Sequence, residues 1–360
     1  MNNRRTINFG KFETACVLIN SIIIWIFMGL PRSMCMAAGS AAWLVARASG
    51  AAYLVLLFIV LKLYEKNMSK DIFALMRDIG GRTLAAATGV VICTSFILKS
   101  AFVLRITSEI ISTVLPFAIP QTVILVMLLV GAAFCAYLGL EGIVRLHALF
   151  VPVILLAFAA STIAAASCYD MTNLYPLWGL GFKNTAMSSL AHTELYSDFI
   201  YIFLLAPYVK KERVFKATCM AAGAVSAIAV SGLVLSYVLA VQYPENTRLF
   251  MPLYQLSRLI RTGPNSQSLE AFFLPVWMIS SLLYISSSLY FAAHSLTAVF
   301  KIKRDKLPVL VAAAAVLIAA LLPKSINAAG ELWRSYGSAL APAVSLLAVL
   351  AAVVKKFIKR

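Results

Sequence analysis

Long apolar runs alternate with short polar segments along the whole chain. Ten of these runs have the length and composition of membrane-spanning helices, near 14–36, 38–61, 84–112, 119–140, 144–166, 184–207, 217–241, 270–299, 307–323 and 336–354. About 20 apolar residues in helical conformation cross the hydrocarbon core of a bilayer. The pattern therefore predicts an all-α integral membrane protein with ten transmembrane helices in the lipid bilayer.

Composition and charge placement support this prediction. Hydrophobic residues make up 62% of the chain and charged residues 12%, a balance far from that of soluble domains. The net charge of +17 does not indicate nucleic-acid binding, because Lys and Arg cluster in alternate loops. With the N-terminus inside, 21 of them lie on the cytoplasmic side and seven on the outer side. This bias predicts cytoplasmic termini, with residues 1–11 as a retained tail.

Motifs of soluble enzymes are missing from the sequence. It contains no HExxH, P-loop or Gly-x-Ser-x-Gly motif, and its three histidines are isolated from one another. The six cysteines stand singly, mostly in apolar segments, which is typical of small core residues. We therefore expect no enzymatic activity, no cofactor and no metal site. The missing P-loop also argues against an ATP-driven pump.

The predicted outer loop 242–269 contains an amphipathic pattern. Apolar positions recur there at helical spacing against polar ones, namely Leu253, Leu256, Leu259 and Ile260 against Gln255, Arg258 and Arg261. The pattern predicts a short helix near 251–261 on the outer surface.

Predicted span six carries the densest group of polar residues. In a regular helix Glu194 and Asp198 would lie one turn apart as like charges, which is unfavourable. Unwinding near Ser197 would relieve this repulsion and expose backbone groups to a ligand. His192 and Glu194 either bind a ligand or lie at the outer interface, whereas Asp198 lies deeper and is predicted to be functional, because buried charges are costly.

Predicted span one contains a second weak point. Gly29 and Pro31 disfavour a continuous helix, since proline lacks an amide donor and clashes with the preceding turn. Spans one and six each open a block of five helices, and transporters built as inverted five-helix repeats bind substrate at such a pair of interrupted helices. A simple kink is the alternative.

Spans three and eight add further candidates. Lys99 lies near the middle of span three, too far from either end to reach water comfortably. It could replace a coupling cation, carry a proton, or pair with Asp198. Arg105 and Glu109 are spaced for a helical salt bridge, which is as well explained by a structural role as by transport.

In span eight, Glu270 is placed to complement the helix N-terminus. A polar stripe follows, which either packs helices together or lines a path, comprising Ser280, Ser281, Tyr284, Ser287 and Ser288.

Four segments resemble the B subunits of spore germination receptors. The stretch from Phe250, "FMPLYQLSRLIRTGPNSQSLEAFFLPVW", matches through Pro252, Tyr254, Leu256, Arg258, Leu259, Ile260, Leu269, Glu270, Phe273 and Trp277. "LPRSMCMAAGSAAWL" is similar to the end of the family's first helix and the start of its second, through Leu30, Pro31, Arg32 and Trp43. "YSDFIYIFLLAPY" and "YLGLEGIVRLHALFVP" match through Asp198, Pro207, Tyr208, Gly139, Glu141 and Arg145.

The resemblance implies the fold of amino acid/polyamine/organocation permeases. That is one transmembrane domain over 1–360, built as a 5+5 inverted repeat of about 11–166 and 184–354, with broken helices one and six around a cavity. The ligand-binding residues would be Asp198, Ser197, Tyr196, Gly29, Ile26, Lys99 and Tyr284. Gating or structural roles would fall to Pro31, Glu141, Arg145, Arg258, Glu270 and Trp277.

The sequence departs from the permease pattern in span one. Ile24 and Ile26 stand where permeases usually have a glycine pair that lets the backbone approach a substrate carboxylate. The ligand is therefore altered, or binding has moved or been lost.

The predicted function is that of a germinant receptor membrane subunit. It would sense a small-molecule germinant, an amino acid or related nutrient, and would act with a second membrane subunit and a lipoprotein subunit in the inner membrane of the spore. The alternatives are a proton-coupled secondary transporter of amino acids or amines, and a structural subunit whose cavity has decayed.

Overall fold

The computed structural model describes residues 10–68, 70–114, 119–193, 198–209, 211–249, 251–259, 270–300, 302 and 306–332. These residues form helices and connecting turns, with no strand among them. The helices are α1 (Lys11–Phe27), α2 (Leu30–Ala38), α3 (Ala42–Tyr64), α4 (Ile72–Val114), α5 (Gln121–Leu138), α6 (Leu140–Ala164), α7 (Phe182–Ala191), α8 (Phe199–Leu205), α9 (Glu212–Ala240), α10 (Glu245–Arg248), α11 (Pro252–Leu259), α12 (Glu270–Phe300), α13 (Leu307–Leu321) and α14 (Ile326–Leu332).

Within the described residues, six helical segments are long and apolar enough to cross a membrane. They are Leu30–Tyr64, Ile72–Val114, Gln121–Leu138, Leu140–Cys168, Glu212–Ala240 and Phe273–Phe300, and Leu307–Leu321 is a shorter apolar helix. The chain is thus a multi-pass membrane protein. Each of the first nine predicted spans contains at least one helix, whereas the tenth, 336–354, lies outside the described residues.

The helices pack in two groups. Helices α1, α2, α3, α7 and α9 contact one another, and α4, α5, α12 and α13 form the second group. Helix α6 contacts members of both groups, and α1 packs directly on α12. The core between the groups brings the middle of α1 to the middle of α4 and α12, which positions the polar cluster described below.

Two predicted spans differ from the structure where they begin. Helix α4 begins at Ile72, but it is broken at Gly80 and Gly81, where Gly81 has a φ of 70°, so its second part begins within a few residues of the predicted start near 84. Arg77 and Asp78 lower the hydropathy of this first part, yet its apolar face is buried and holds it in helical form. Helix α6 begins at Leu140 and not at 144, because Gly139, with a φ of 95°, ends α5 and allows a direct turn into α6.

The short helix predicted near 251–261 corresponds to α11, and its Leu253 and Leu256 are buried against the core. Its place on the outer side of the membrane stays a prediction. All six cysteines are free, with Cys135 and Cys168 partly buried and the other four fully so.

Candidate functional site

The predicted weak point in span one is a break between two helices. Helix α1 ends at Phe27, and Gly29 then adopts the left-handed conformation with φ 89° and ψ 16°. Residues with a Cβ rarely adopt this conformation. Pro31 lies in the first turn of α2, where its missing amide removes no helical hydrogen bond.

Predicted span six is also interrupted. Helix α7 ends at Ala191, and α8 begins at Phe199 immediately after Asp198. The predicted binding residues Tyr196 and Ser197, together with Glu194, lie outside the described residues. His192 follows the end of α7, where its Nδ1 lies 2.8 Å from the Ser188 carbonyl oxygen.

A buried ion pair joins α4 to the residue that precedes α8. The ammonium of Lys99, in the middle of α4, donates to Oδ1 of Asp198. The side chains of Lys99 and Asp198 are only 3% and 1% exposed. Three roles were considered for Lys99: replacing a coupling cation, carrying a proton, and pairing with Asp198. The structure shows the pairing with Asp198. Each charge compensates the other in surroundings where neither could remain ionised alone without a large cost.

Aromatic rings enclose the pair. Lys99 Nζ lies 5.8 Å from the centre of the Trp25 ring of α1, a distance typical of a cation–π contact. The Tyr284 ring of α12 meets Trp25 edge-on at 6.2 Å, and the Phe102 ring of α4 stacks on Trp25 at 6.3 Å. Tyr201, one turn after Asp198, lies 6.4 Å from Tyr284. Helices α1, α4, α8 and α12 thus each contribute to one cluster.

Hydroxyl and amide groups extend the cluster along α12. The Tyr201 hydroxyl lies 2.8 Å from Ser288 Oγ and 3.1 Å from Ser287 Oγ. Asn20 of α1 donates to the Ser280 carbonyl at 3.1 Å and accepts from the Ser280 hydroxyl at 2.8 Å.

Ser281 accepts a 3.0 Å hydrogen bond from Thr107 of α4. The serines of the polar stripe of α12 therefore bond to neighbouring helices. This corresponds to the first of the two roles considered for the stripe, packing helices together as opposed to lining a path.

The Tyr284 hydroxyl lies beside the ion pair. It is within hydrogen-bonding range of Asp198 and of Ser288, although neither contact has the geometry of a well-formed hydrogen bond. Both Asp198 and Tyr284 are almost fully buried, at 4% and 0% exposure. Imperfectly satisfied buried polar atoms are rare in folded proteins, so the cluster keeps some hydrogen-bonding capacity.

Two further predicted binding residues, Ile26 and Gly29, belong to the broken first span. Ile26 is fully buried in the core, as is Ile24, so no open backbone surface is left at these positions. Gly29 lies at the helix break, where a Cβ would meet no atom within 4 Å.

The predicted gating residues lie in separate parts of the molecule. Trp277 is buried and stacks on Phe27 at 5.6 Å, beside a gap between α1, α11 and α12 that is too narrow for a water molecule. Glu141 and Arg145 form an exposed pair of 2.5 Å within α6. For Arg258 in α11 and Glu270 at the start of α12, only the helical backbone is described.

Arg105 and Glu109 approach to 3.3 Å as the spacing predicted.

Other residues of the cluster were not among the predicted binding residues. Trp25 and Phe102 look like ordinary apolar residues of their spans, and nothing in the local pattern distinguishes them. Thr107 is one of several hydroxyl residues in α4. Asn20 and Tyr201 had a usable signal, because each interrupts a long apolar run.

An open groove lies elsewhere in the described part of the chain. It measures ≈ 440 Å³, lies between α3 and α7, and is lined mainly by apolar side chains such as Leu44, Phe182 and Leu190. None of the predicted binding residues lines it.

The fold is that of known secondary transporters. The chain matches the structure of Mhp1, a nucleobase-cation-symport-1 family transporter, with a TM-score of 0.69 at 13% identity, covering 96% of this chain and 77% of Mhp1. It matches a Na⁺-coupled sialic acid symporter with a TM-score of 0.65 at 12% identity, covering 95% and 89%. A manganese transporter of Eremococcus coleocola gives a TM-score of 0.67 at 14% identity, covering 95% and 75%.

The chain belongs to the spore germination protein family, whose sequence profile matches residues 10–329. It is 22% identical over 295 residues to the spore germination protein YndE of Bacillus subtilis (strain 168), covering 81% of each chain. It is 21% identical over 306 residues to spore germination protein A2 of the same organism, covering 83% of each.

Proposed function

We propose that this chain is the membrane subunit of a spore germinant receptor, which senses a small-molecule nutrient such as an amino acid through a permease-like cavity. The observation that carries the proposal is the Lys99–Asp198 pair, buried where α1, α4, α8 and α12 meet. A buried ion pair with spare hydrogen-bonding capacity is a poor packing element, which favours a functional role. Membership of the spore germination protein family supplies the biological setting.

The proposed architecture is a 5+5 inverted repeat of ten helices, with repeats near 11–166 and 184–354 and both termini cytoplasmic. The helix breaks after α1 and before α8 support this architecture, because they fall at corresponding positions, in the first span of each proposed five-helix repeat. Ligand would bind at Asp198, Lys99, Tyr284 and the neighbouring Ser197 and Tyr196. The proposed partners are a second membrane subunit and a lipoprotein subunit in the inner spore membrane.

Signalling in this proposal is a shift between two conformations. A ligand shifts such an equilibrium only by its difference in affinity for the two states, so net transport is not required. A ligand that engages Asp198 or Lys99 would weaken the bond between α8 and α4. That change would be read by the partner subunits.

The test uses spores that carry Asp198→Asn in place of the native chain, with Glu141→Gln as a matched control on an exposed pair. We expect Asp198→Asn to abolish the germination response to nutrients while dormancy and lysozyme-triggered outgrowth are retained. Glu141→Gln should respond normally. A full nutrient response of the Asp198→Asn spores, at normal protein level in the membrane, would exclude this site as the sensor and favour a structural subunit.

A second candidate function is proton-coupled secondary transport of amino acids or amines. The match to solved symporters favours it, since the fold is built for alternating access. Counterflow of labelled amino acids in proteoliposomes containing only this chain separates the two candidates. Robust counterflow without partner subunits would support the transporter and contradict the receptor. Loss of germination without any uptake defect in a deletion strain would contradict the transporter.

A further inference from the structure

The groove between α3 and α7 offers an apolar surface to an occupant. Helix α3 belongs to one of the segments long and apolar enough to cross a membrane. Three alanines line the groove, Ala48 and Ala52 of α3 and Ala186 of α7, and their small side chains leave the space open. Its two hydroxyl residues, Thr185 and Ser189, donate to backbone carbonyls of α7 or of the loop before it. The lining therefore favours an apolar occupant over a polar one.

The size of the groove distinguishes a thin chain from a helix. Its lining on α3 extends from Leu44 to Ala52, which is about 12 Å along the helix axis. A helix about 10–12 Å across occupies roughly 400–600 Å³ per turn of 5.4 Å. The groove measures ≈ 440 Å³, so a helix lying along it would be mostly outside it. A hydrocarbon chain is thinner and fits along the whole length.

The loop that leads into α7 is firmly attached at one end of the groove. The Leu180 amide donates to the Ala38 carbonyl at 3.3 Å. Gly179 lies so close that a Cβ there would be 1.8 Å from the same carbonyl oxygen. These contacts position Trp178, whose ring meets Phe182 edge-on at 5.0 Å, and both residues line the groove. Because Ala38 ends α2 just before α3, α3 and α7 both begin at this end.

Two exposed cations lie near that same end. Arg47 is five residues beyond the start of α3, about 7.5 Å along its axis. Its guanidinium carbon lies 5.2 Å from the centre of the Trp43 ring, one turn nearer the helix start. Lys183 is the second residue of α7. Within the described residues neither cation forms an ion pair. A bilayer supplies the missing anion as lipid phosphate, which a guanidinium binds with two parallel hydrogen bonds.

We propose that the groove between α3 and α7 binds one anionic phospholipid, with an acyl chain along the alanines and the phosphate at Arg47 and Lys183. In a zwitterionic lipid the phosphate already has a cation beside it, so a lipid with net negative charge is favoured. The bound lipid contacts α7, the helix that leads to the break before Asp198. The inference does not rest on the proposed sensor function, because the groove shares no residue with the ion-pair cluster.

The test is a lipid titration of the purified full-length chain, washed free of native lipid in detergent, with occupancy measured by native mass spectrometry. Dioleoylphosphatidylglycerol is the probe. Dioleoylphosphatidylcholine has the same chains without net charge, and glycerol phosphate has the phosphate without the chains. We expect one saturable phosphatidylglycerol site, with an affinity at least about fivefold above that for phosphatidylcholine. Glycerol phosphate should show no saturable binding.

Variants locate the site. Arg47→Gln should weaken phosphatidylglycerol binding at least about fivefold, since it removes one cation from the phosphate. Ala48→Leu should abolish saturable binding, because it fills the groove. Ala160→Leu and Arg82→Gln are matched controls at exposed positions of α6 and α4, and both should bind like the wild type. If thermal unfolding shows that Ala48→Leu is not folded, Ala186→Leu fills the groove from α7.

Four results would overturn the proposal. Equal affinity for the two lipids would indicate ordinary contact with the bilayer. Glycerol phosphate binding as tightly as phosphatidylglycerol would indicate an anion site without a place for the acyl chain. Unchanged binding in Arg47→Gln and in the groove-filling variant, or equal losses in the controls, would place the lipid elsewhere. A dimer that the groove-filling variant dissociates would assign the groove to a second copy of the chain.

Discussion

Two ion pairs of this protein join the same kinds of charge in opposite surroundings. Lys99 and Asp198 pair between α4 and α8 across 99 residues of sequence, with side chains 3% and 1% exposed. Arg145 and Glu141 pair within α6, with side chains 69% and 46% exposed. Two exposed charges are well solvated by water whether or not they pair, so an exposed pair contributes little to stability. A buried charge that loses its partner has no water to replace that partner, so breaking a buried pair is costly. Burial, and not the contact itself, decides what each pair contributes.

The largest effect should come from breaking the buried pair. Asp198→Asn keeps the shape of the side chain but leaves the Lys99 ammonium without a counter-charge. We expect a loss of about 3–5 kcal/mol of unfolding free energy. Thermal and denaturant unfolding of the purified protein measure this loss. A change below about 1 kcal/mol would mean that water or another anion already compensates Lys99.

Removing both charges should recover most of that loss. In Lys99→Met combined with Asp198→Leu, no buried charge is left unpaired, and apolar side chains of similar length fill the space. Buried pairs replaced in this way are often neutral or stabilising. In a double-mutant cycle, the loss in the double variant should then be far smaller than the sum of the losses in Lys99→Met and Asp198→Leu alone. Additive losses in the two single variants would instead show that the charges act independently.

A neutral buried contact should be worth less than the ion pair. Asn20→Ala removes both hydrogen bonds between α1 and Ser280 of α12. We expect a loss of about 1–2 kcal/mol, because the Ser280 groups lose their partner without leaving a bare charge. Ser286→Ala is the matched control, since among the described residues the buried Ser286 hydroxyl bonds to the Leu283 carbonyl of its own helix and to no other helix. An equal loss in the control would assign the effect to packing.

The smallest effect should come from the exposed pair. Glu141→Gln should change the unfolding free energy by no more than about 0.5 kcal/mol, because water solvates both charges in either state. Whatever difference is measured should shrink as the salt concentration rises, since exposed charges are screened. The Asp198→Asn loss should hardly depend on salt. A large salt-independent effect of Glu141→Gln would contradict the comparison.

Sequence reasoning located the helices better than their ends. The apolar windows predicted the first nine spans, because hydropathy over about 20 residues measures what the bilayer requires. The boundaries failed where the deciding factor was local. Arg77 and Asp78 masked the first part of α4, and the turn at Gly139 shortened the loop before α6.

The candidate site was predicted only in part. Asp198 and Lys99 were found because charges inside apolar spans are costly and therefore conspicuous. Their pairing was one of several alternatives, since no local pattern relates residues so far apart. Trp25 and Phe102 gave no signal, because an aromatic residue in an apolar span looks the same whether it faces lipid, core or a buried cation.

The sequence by itself determined that this chain crosses a membrane, where its helices weaken, and that few of its charges are buried. Those properties depend on composition and on neighbours along the chain, which periodicity and hydropathy measure directly. Only the tertiary structure decided that Lys99 meets Asp198 beside Trp25, and that the serines of α12 bond to α1, α4 and α8. Such contacts depend on how helices pack across the bundle, and many packings satisfy the same apolar pattern.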